Sequence, residues 1–364
     1  FTMAEKSTHD FCKPVILILL NTDGSLEYAA EGGSDDYPAY SSGIVYHNGE
    51  VSFMVSFEEK FNFGSKSIYA DMQKNYAVIT LNEDRSIKGY NLLTGGDSYI
   101  TGIWPNDLAY DRNGNIWVIG EMSGEVKCGD ISYTTGKTTY GPGEELFDSE
   151  SFLLKINTEG KSVSLAKIIT EANAKKIISL QDCTLLISGY FKGDVTGNDK
   201  GVSYFGTKKI SCTTDVEGEP TEDGFAAKFD QECNCIWVAR GKGSSDNRIT
   251  EAVQAPDGSI YLSGFALFDF GFQGSTGEAM QQFVTGEGND RYNFSDAFIV
   301  KLNSAGELQW IKRGGGSKSD DLKCIHYSNG KVRAGGSFTA AITFDGIQVN
   351  MRSTFYSGAE IRIF

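Results

Sequence analysis

The feature that most constrains this chain is that it repeats itself. "DGFAAKFDQECNCIWVARGKG" (223–243) and "DAFIVKLNSAGELQWIKRGGG" (296–316) carry the same succession of apolar, basic and turn residues, 73 residues apart. The residue ending the first apolar run serves as an anchor. It recurs in "ILILLN" at Asn21, "AVITLN" at Asn82, "FLLKIN" at Asn157, "FAAKFD" at Asp230 and "FIVKLN" at Asn303, at spacings of 61, 75, 73 and 73 residues. A truncated copy, "GAEIRIF", closes the chain at Phe364.

Each anchor is followed by a turn and a second strand, as in "TDGSLEYAAEGG" and "SAGELQWIKRGGG". A further pair of strands comes next, joined by "HNGE", "RNGN", "PDGS" or "SNGK". Asn-Gly and Asp-Gly supply the positive φ that a tight, twisted hairpin turn requires. Lettered a to d from the innermost outward, the strands number four per copy. Strand a is "SGIVYHN" and its relatives, b is "EVSFMV", c is "AVITLN" and d is "IKGYNLL".

A four-stranded sheet cannot cover both of its own faces, so it must stack on its neighbours. Stacking around an axis gives a β-propeller, whereas a linear solenoid needs polar capping repeats. The expected fold is therefore all-β: a five-bladed β-propeller of four-stranded antiparallel blades, forming a single domain over 1–364 with 1–13 as an N-terminal extension. Residues 14–31 and Ala359–Phe364 are expected to share the closing blade, which leaves one spare strand at the N-terminus.

The pattern "DAFIVKLNSAGELQWIKRGGGSKSDD…SNGKVRAGGSFTAAITFDG" resembles the SBBP-type β-propeller repeats of secreted and cell-surface bacterial proteins, notably of Bacteroidetes. The resemblance spans nearly the whole chain and is clearest in the last two copies. It implies the propeller fold and a secreted or surface location, with lipid anchoring to an outer membrane and a place beside a nutrient importer as further expectations. It brings no catalytic motif.

Composition narrows the function. The net charge of −15 argues against nucleic acid and anionic membrane surfaces, which need positive patches. No run reaches the roughly 20 apolar residues of a membrane helix, and "PVILILL" (14–20) reads as a strand of the repeat. Seven cysteines, at 12, 128, 183, 212, 233, 235 and 324, follow no metal-knuckle spacing and read mostly as buried thiols. "DRNGN" (111–115) opens like a calcium loop but lacks the terminal acid, so it reads as a turn. No cofactor or metal is expected.

The a–b and c–d turns are short, whereas the b–c and d–a loops are long and variable. A scaffold that varies one face binds with that face. The alternative is that the long loops form local hairpins that cover blade edges. Acidic residues recur in the d–a loops: Asp35 and Asp36 in "GGSDDYPAY", Asp246 beside Arg248 in "GSSDNRI", and Asp320 and Asp321 in "GSKSDDLK". They are binding candidates, but matching positions also suit a structural task, the capping of backbone N–H groups. Tyr99 and Trp104 offer a stacking platform ahead of Asp107.

Catalytic patterns are sparse. His326 and Cys324 share a strand face, but no GxSxG, HExxH or P-loop occurs. The main expectation is a non-catalytic protein that binds a protein, peptide or glycan. The alternative is a glycoside hydrolase-like propeller using Asp107, Asp111 and Glu251. A spacer without ligand is a third reading.

Overall fold

The computed structural model describes residues 14–34, 38–70, 75–95, 101–139, 145–193, 200–277, 280–284, 294–339, 341–344, 346–349 and 357–363. Among them there is no helix; every regular element is a β-strand, and the strand pairings are antiparallel. The repeat is written directly into the strands. Strands a and b are Tyr40–His47 and Glu50–Phe57 in repeat 1, Gly102–Tyr110 and Ile116–Ser123 in repeat 2, and Ala172–Ser179 and Leu185–Phe191 in repeat 3. They are Asn247–Gln254 and Ile260–Leu267 in repeat 4, and Asp320–Ser328 and Lys331–Phe338 in repeat 5. Strands c and d follow as Asn75–Leu81 and Ile87–Thr94, Glu150–Ile156 and Ser162–Thr170, Asp223–Phe229 and Cys235–Lys242, and Ser295–Leu302 and Leu308–Gly316. Repeat 5 has c at Ser357–Ile363.

The sheets are wider than the sequence reading expected. In repeats 1 to 4 the order is a–b–c–d and then two more strands, making six. The extra pair is a hairpin from the b–c loop of the following repeat, such as Val202–Phe205 with Lys208–Ser211, or Asp269–Gln273 with Met280–Val284. It adds to strand d of the preceding sheet, with Arg240 opposite Gln273 and Lys242 opposite Gly271. The edge-covering alternative therefore describes these loops. An unpaired strand d would expose a row of backbone donors and acceptors, and the borrowed hairpin covers it. Its side chains also complete the core: Phe205 lies edge-on to Phe225, and Phe270 stacks on Phe298 with 4.2 Å between centroids.

The N-terminal hairpin, Val15–Leu20 with Leu26–Gly33, pairs with Lys60–Phe63 of repeat 1. Its second strand thus takes the place of a strand d and its first the place of a strand c. Ser357–Ile363 also sits in a c position, against Lys331–Phe338. Among the described residues no ladder joins these two segments, so the spare strand of the sequence reading is present at this level too.

The chain divides into two compact units: Phe1–Pro105 with Met122–Phe147 and Ile156–Leu165, and Asn106–Glu121 with Asp148–Lys155 and Ala166–Phe364. In the first, Leu17, Phe61 and Phe63 pack with Phe53, Val55 and Ile79 of repeat 1. In the second, three apolar layers lie between successive sheets. Trp117 and Leu153 face Ile177 and Phe225, Leu186 and Ala226 face Leu262 and Phe298, and Ile299 faces Leu322 and Ala334. The middle sheets are covered on both faces, which is why Asp223–Phe229 is buried at every residue instead of at alternate ones.

Two local rules set the repeat. The anchor Asn or Asp makes the c–d turn: Asp230 Oδ1 accepts from the backbone N–H groups of Glu232 and Asn234 at 3.0 and 2.7 Å, and Asn303 Oδ1 from Ala305 and Glu307 at 3.0 and 2.9 Å. Asn157 Oδ1 does the same, whereas Asn21 and Asn82 donate to the hydroxyls of Ser25 and Ser86 and leave the backbone N–H to Asp23 and Asp84, so either use of the side chain closes the turn. The second rule is a bulge in strand a, after Ala174, Ile249 and Leu322. The bulge pushes a carbonyl against strand b, where only Gly fits. A Cβ at Gly189, Gly264 or Gly336 would lie 2.0, 1.9 and 1.9 Å from the carbonyl oxygens of Asn173, Arg248 and Asp321. The "SGY", "SGF" and "GGSF" of the sequence mark these contacts.

Candidate functional site

In the second unit the inner strands of repeats 3, 4 and 5 stand side by side in chain order. The bulges aim polar side chains at the neighbouring strand. Asn106 Nδ2 donates to the Ala174 carbonyl at 2.8 Å, and Thr250 Oγ1 to the Leu322 carbonyl at 2.7 Å. Asp107 accepts a hydrogen bond from the Ile177 N–H at 3.0 Å. Its Oδ2 thus holds the backbone of the neighbouring inner strand.

Asp107 also belongs to an ion network. Lys176 and Glu251 are each the first paired residue after their bulge. The Lys176 ammonium lies 3.3 Å from Asp107 Oδ2 and 3.5 Å from Glu251 Oε2. Burial pushes both carboxyl groups above their ordinary range, with Lys176 opposing that shift. Burial also works against the Lys176 ammonium, but the two carboxylates outweigh it and its affinity for the proton rises. The cation therefore stays charged and neutralises its partners.

Nearer the long-loop side, a second cluster surrounds a pocket of about 160 Å³ lined by Glu121, Ser149, Asn173, Tyr190, Lys192 and Glu222. Arg248 pairs with Glu222, and its guanidinium lies 4.4 Å from the centroid of the Tyr190 ring. Lys175, the bulged residue of its strand, reaches toward Glu121 at 3.9 Å and lies 5.8 Å from the Tyr190 ring. Burial raises the Glu121 carboxyl and lowers the Lys175 ammonium. Burial likewise raises the Tyr190 phenol. An aromatic flanked by a guanidinium, an ammonium and two carboxylates presents both donors and acceptors around an apolar face. That chemistry suits a polar ligand with a flat or ring-shaped surface.

The other sequence candidates fall out as follows. Asp246 caps the Glu222 N–H at 3.0 Å and carries the turn before strand a. Asp321 accepts from the Ser337 N–H at 3.2 Å and hydroxyl at 2.5 Å, and pairs with Lys323. Asp320 is buried and accepts from the Thr339 N–H at 3.3 Å; burial, with Asp296 adding to it, pushes its carboxyl up to about 7. Trp104 is half-buried, with its ring packed over Gly102, where a Cβ would lie 3.3 Å from it. Asp35, Asp36 and Tyr99 lie outside the described residues. Arg248 is thus the one candidate that the described residues place in the pocket cluster.

Asp111 makes its turn by accepting from Asn113 and Asn115, and it also holds the Trp117 indole N–H at 3.0 Å. It takes no part in the Lys176 network. Trp117 is in the core and Trp237 nearly so, whereas Trp310 is half-buried against Tyr261. Cys12 lies outside the described residues. Of the six described cysteines only Cys128 is buried, Cys183 and Cys324 are exposed, and Cys212, Cys233 and Cys235 are intermediate, so the expectation of mostly buried thiols does not hold for them. Cys324 Sγ faces the Gly335 carbonyl at 3.6 Å. Among the described residues no group of three or more His, Cys, Asp or Glu side chains is arranged to hold a metal ion.

No protein-family model matches the chain. A stretch of 150 residues, 39% of the chain, is 29% identical to part of the regulatory protein FlaEY of Caulobacter vibrioides, and the match spans 15% of that protein. Among solved structures, a catalytically inactive variant of virginiamycin B lyase from Staphylococcus aureus, crystallised with quinupristin, aligns over 92% of this chain and 98% of its own, with 13% identity and a TM-score of 0.27. A likeness that loose carries no argument about fold detail or activity.

Proposed function

We propose that this chain is a non-catalytic binding protein built on a five-bladed β-propeller of the SBBP-type repeat. It recognises a protein, peptide or glycan through the face formed by its b–c and d–a loops. Five a–b hairpins and the stacking of successive sheets support the propeller, and the N-terminal strand in a d position, which repeat 5 lacks, supports closure in one shared blade. The observation that carries the binding reading is the Tyr190 pocket, where Lys175, Arg248, Glu121 and Glu222 surround one ring. The stretch shared with a regulatory protein fits an interaction role. The resemblance of the repeat and the charge of −15 support a place at a bacterial cell surface, lipid-anchored and beside an outer-membrane importer.

A glycan and peptide array tests this reading, with the wild type compared to Arg248→Gln and Tyr190→Ala. Specific binding lost in both variants supports it. Binding unchanged in both, or no binding to any probe together with no partner in a native envelope pull-down, overturns it. The enzyme reading rests on Asp107 and Glu251, whose carboxyl groups are both raised and share Lys176. Hydrolysis of a glycoside that disappears in Asp107→Asn would establish that reading instead.

A further inference from the structure

A second cleft, of about 370 Å³, lies between the outer hairpin strand Lys208–Ser211 and the paired strands Cys235–Lys242 and Asp269–Gln273. Its lining includes Lys209, Ser211, Arg240, Gln273, Ser275 and Thr276, and none of the described residues that line it is acidic. That is notable in a chain with 48 Asp and Glu against 33 Lys and Arg. The cleft sits toward the c–d turns: the Ser275 N–H donates to the carbonyl of Gly306, which belongs to the turn of repeat 4. It is therefore separate from the Tyr190 pocket.

Arg240 is the telling residue. Its Nη1 is shut off from solvent and has no hydrogen-bond partner. A guanidinium stays protonated when buried, so a donor left without an acceptor is costly unless a ligand supplies one. The carboxylate whose charge it feels, Asp223, accepts from the Thr213 N–H and hydroxyl and from Asn247 Nδ2, at 2.7, 2.6 and 3.1 Å. Lys242, on the same strand, adds to the positive field around Arg240. Hydroxyl groups of Ser211 and Thr276 supply further donors, the Ser275 hydroxyl being given to the Ala305 carbonyl at 2.7 Å.

We propose that this cleft binds an oxyanion — a sulfate, phosphate or carboxylate group — with Arg240 and Lys209 as its cationic contacts and the hydroxyl groups as neutral donors. Planar, charge-assisted hydrogen bonding to such a group is what a guanidinium does best. The volume admits the anion together with one sugar ring. Arg240 lines the cleft, so binding sets a negative charge beside a guanidinium whose buried Nη1 is otherwise unpartnered.

The test is titration calorimetry with sodium sulfate and inorganic phosphate at fixed ionic strength, with sodium chloride as the reference. Saturable binding is expected, falling about tenfold or more in Arg240→Gln and a few-fold in Lys209→Gln. No saturable heat relative to chloride, or an affinity unchanged in both variants, overturns the proposal. Should Arg240→Gln fail to fold, Lys209→Glu carries the test, since it reverses a charge on an outer strand. A sulfated disaccharide separates the sources. Tighter binding than free sulfate points to an acidic saccharide and equal binding to the free anion, whereas equal binding of the neutral disaccharide overturns the proposal. These variants leave Tyr190, Arg248 and the lining of their pocket unchanged, so the two readings fail independently.

Discussion

Replacing Gly264 with Ala tests the bulge rule shared by repeats 3, 4 and 5. The added methyl would lie 1.9 Å from the Arg248 carbonyl oxygen and 3.0 Å from Phe298 Cζ. Ordinary carbon–oxygen contact needs well over 1 Å more than the first of these distances. Relief requires moving backbone, because the offending atom is a carbonyl of strand a rather than the end of a side chain. Phe298 closes the other escape: it is fully buried and stacked on Phe270. Overpacking that forces backbone shifts costs about 1–3 kcal/mol, and the loss here belongs at or above the top of that range, about 3 kcal/mol. Gly89→Ala is the control, since a Cβ there meets nothing within 4 Å and its φ is not positive. That change is neutral or stabilising by about 0.5 kcal/mol, through the unfolded chain. Urea unfolding followed by tryptophan fluorescence gives both midpoints. A Gly264→Ala protein within about 0.5 kcal/mol of wild type would show that the bulge does not dictate Gly and would refute the reasoning.

Three further outcomes follow from the inner strands and the buried acids. Lys176→Met leaves Asp107 and Glu251 facing each other without a cation, so urea unfolding at pH 8 should show a loss of about 3 kcal/mol, with recovery when Glu251→Gln is added; no recovery would place the loss outside the ion network. Thr250→Val removes the bond to the Leu322 carbonyl and should cost about 1–2 kcal/mol in the same assay, against no change if that bond is idle. Asp320 holds its proton more tightly when folded, at about 7 against an ordinary 3.8, so its contribution is greatest at low pH and declines as pH rises from about 4 to about 7. Asp320→Asn should flatten that stretch of the stability profile measured by thermal unfolding; an unchanged slope would show that the carboxyl is ionised across it. Asp223, raised by burial to about 6, adds a smaller decline of the same sign in both proteins.

The repeat was legible because its cause is local. Asn303 and Asp230 mark turns that a side chain builds from its own neighbours, and Asn-Gly pairs mark hairpins by the φ they permit, as at Asn329 with 52° and Gly330 with 74°. Strand order within each copy followed from these signals. That the long loops form edge-covering hairpins was legible as an alternative, but not that each hairpin joins the sheet of the preceding repeat. Phe270 and Phe272 read as loop residues in "DFGFQG", and only the sheet of the preceding repeat gives them a partner. Asp107 and Glu251 were named together from the sequence, but Lys176, which joins them, was not. Asp107, Lys176 and Glu251 come from three repeats, and no short window of sequence contains two of them. Setting the strand a sequences in bulge register would have put Lys176 and Glu251 in one column. The recurring acids of the d–a loops drew attention by position, yet Asp246, Asp320 and Asp321 mainly hold backbone N–H groups.

The central proposal is that sheets unable to shield themselves stack around a common axis and that the chain ends share one blade. Double electron–electron resonance between spin labels at Glu27 and Glu360, with the exposed Cys183 and Cys324 replaced, measures that directly. A shared closing blade, with strands about 5 Å apart, predicts a narrow distribution below about 25 Å. A distribution centred beyond about 40 Å, near the full width of a folded chain this long, would contradict it.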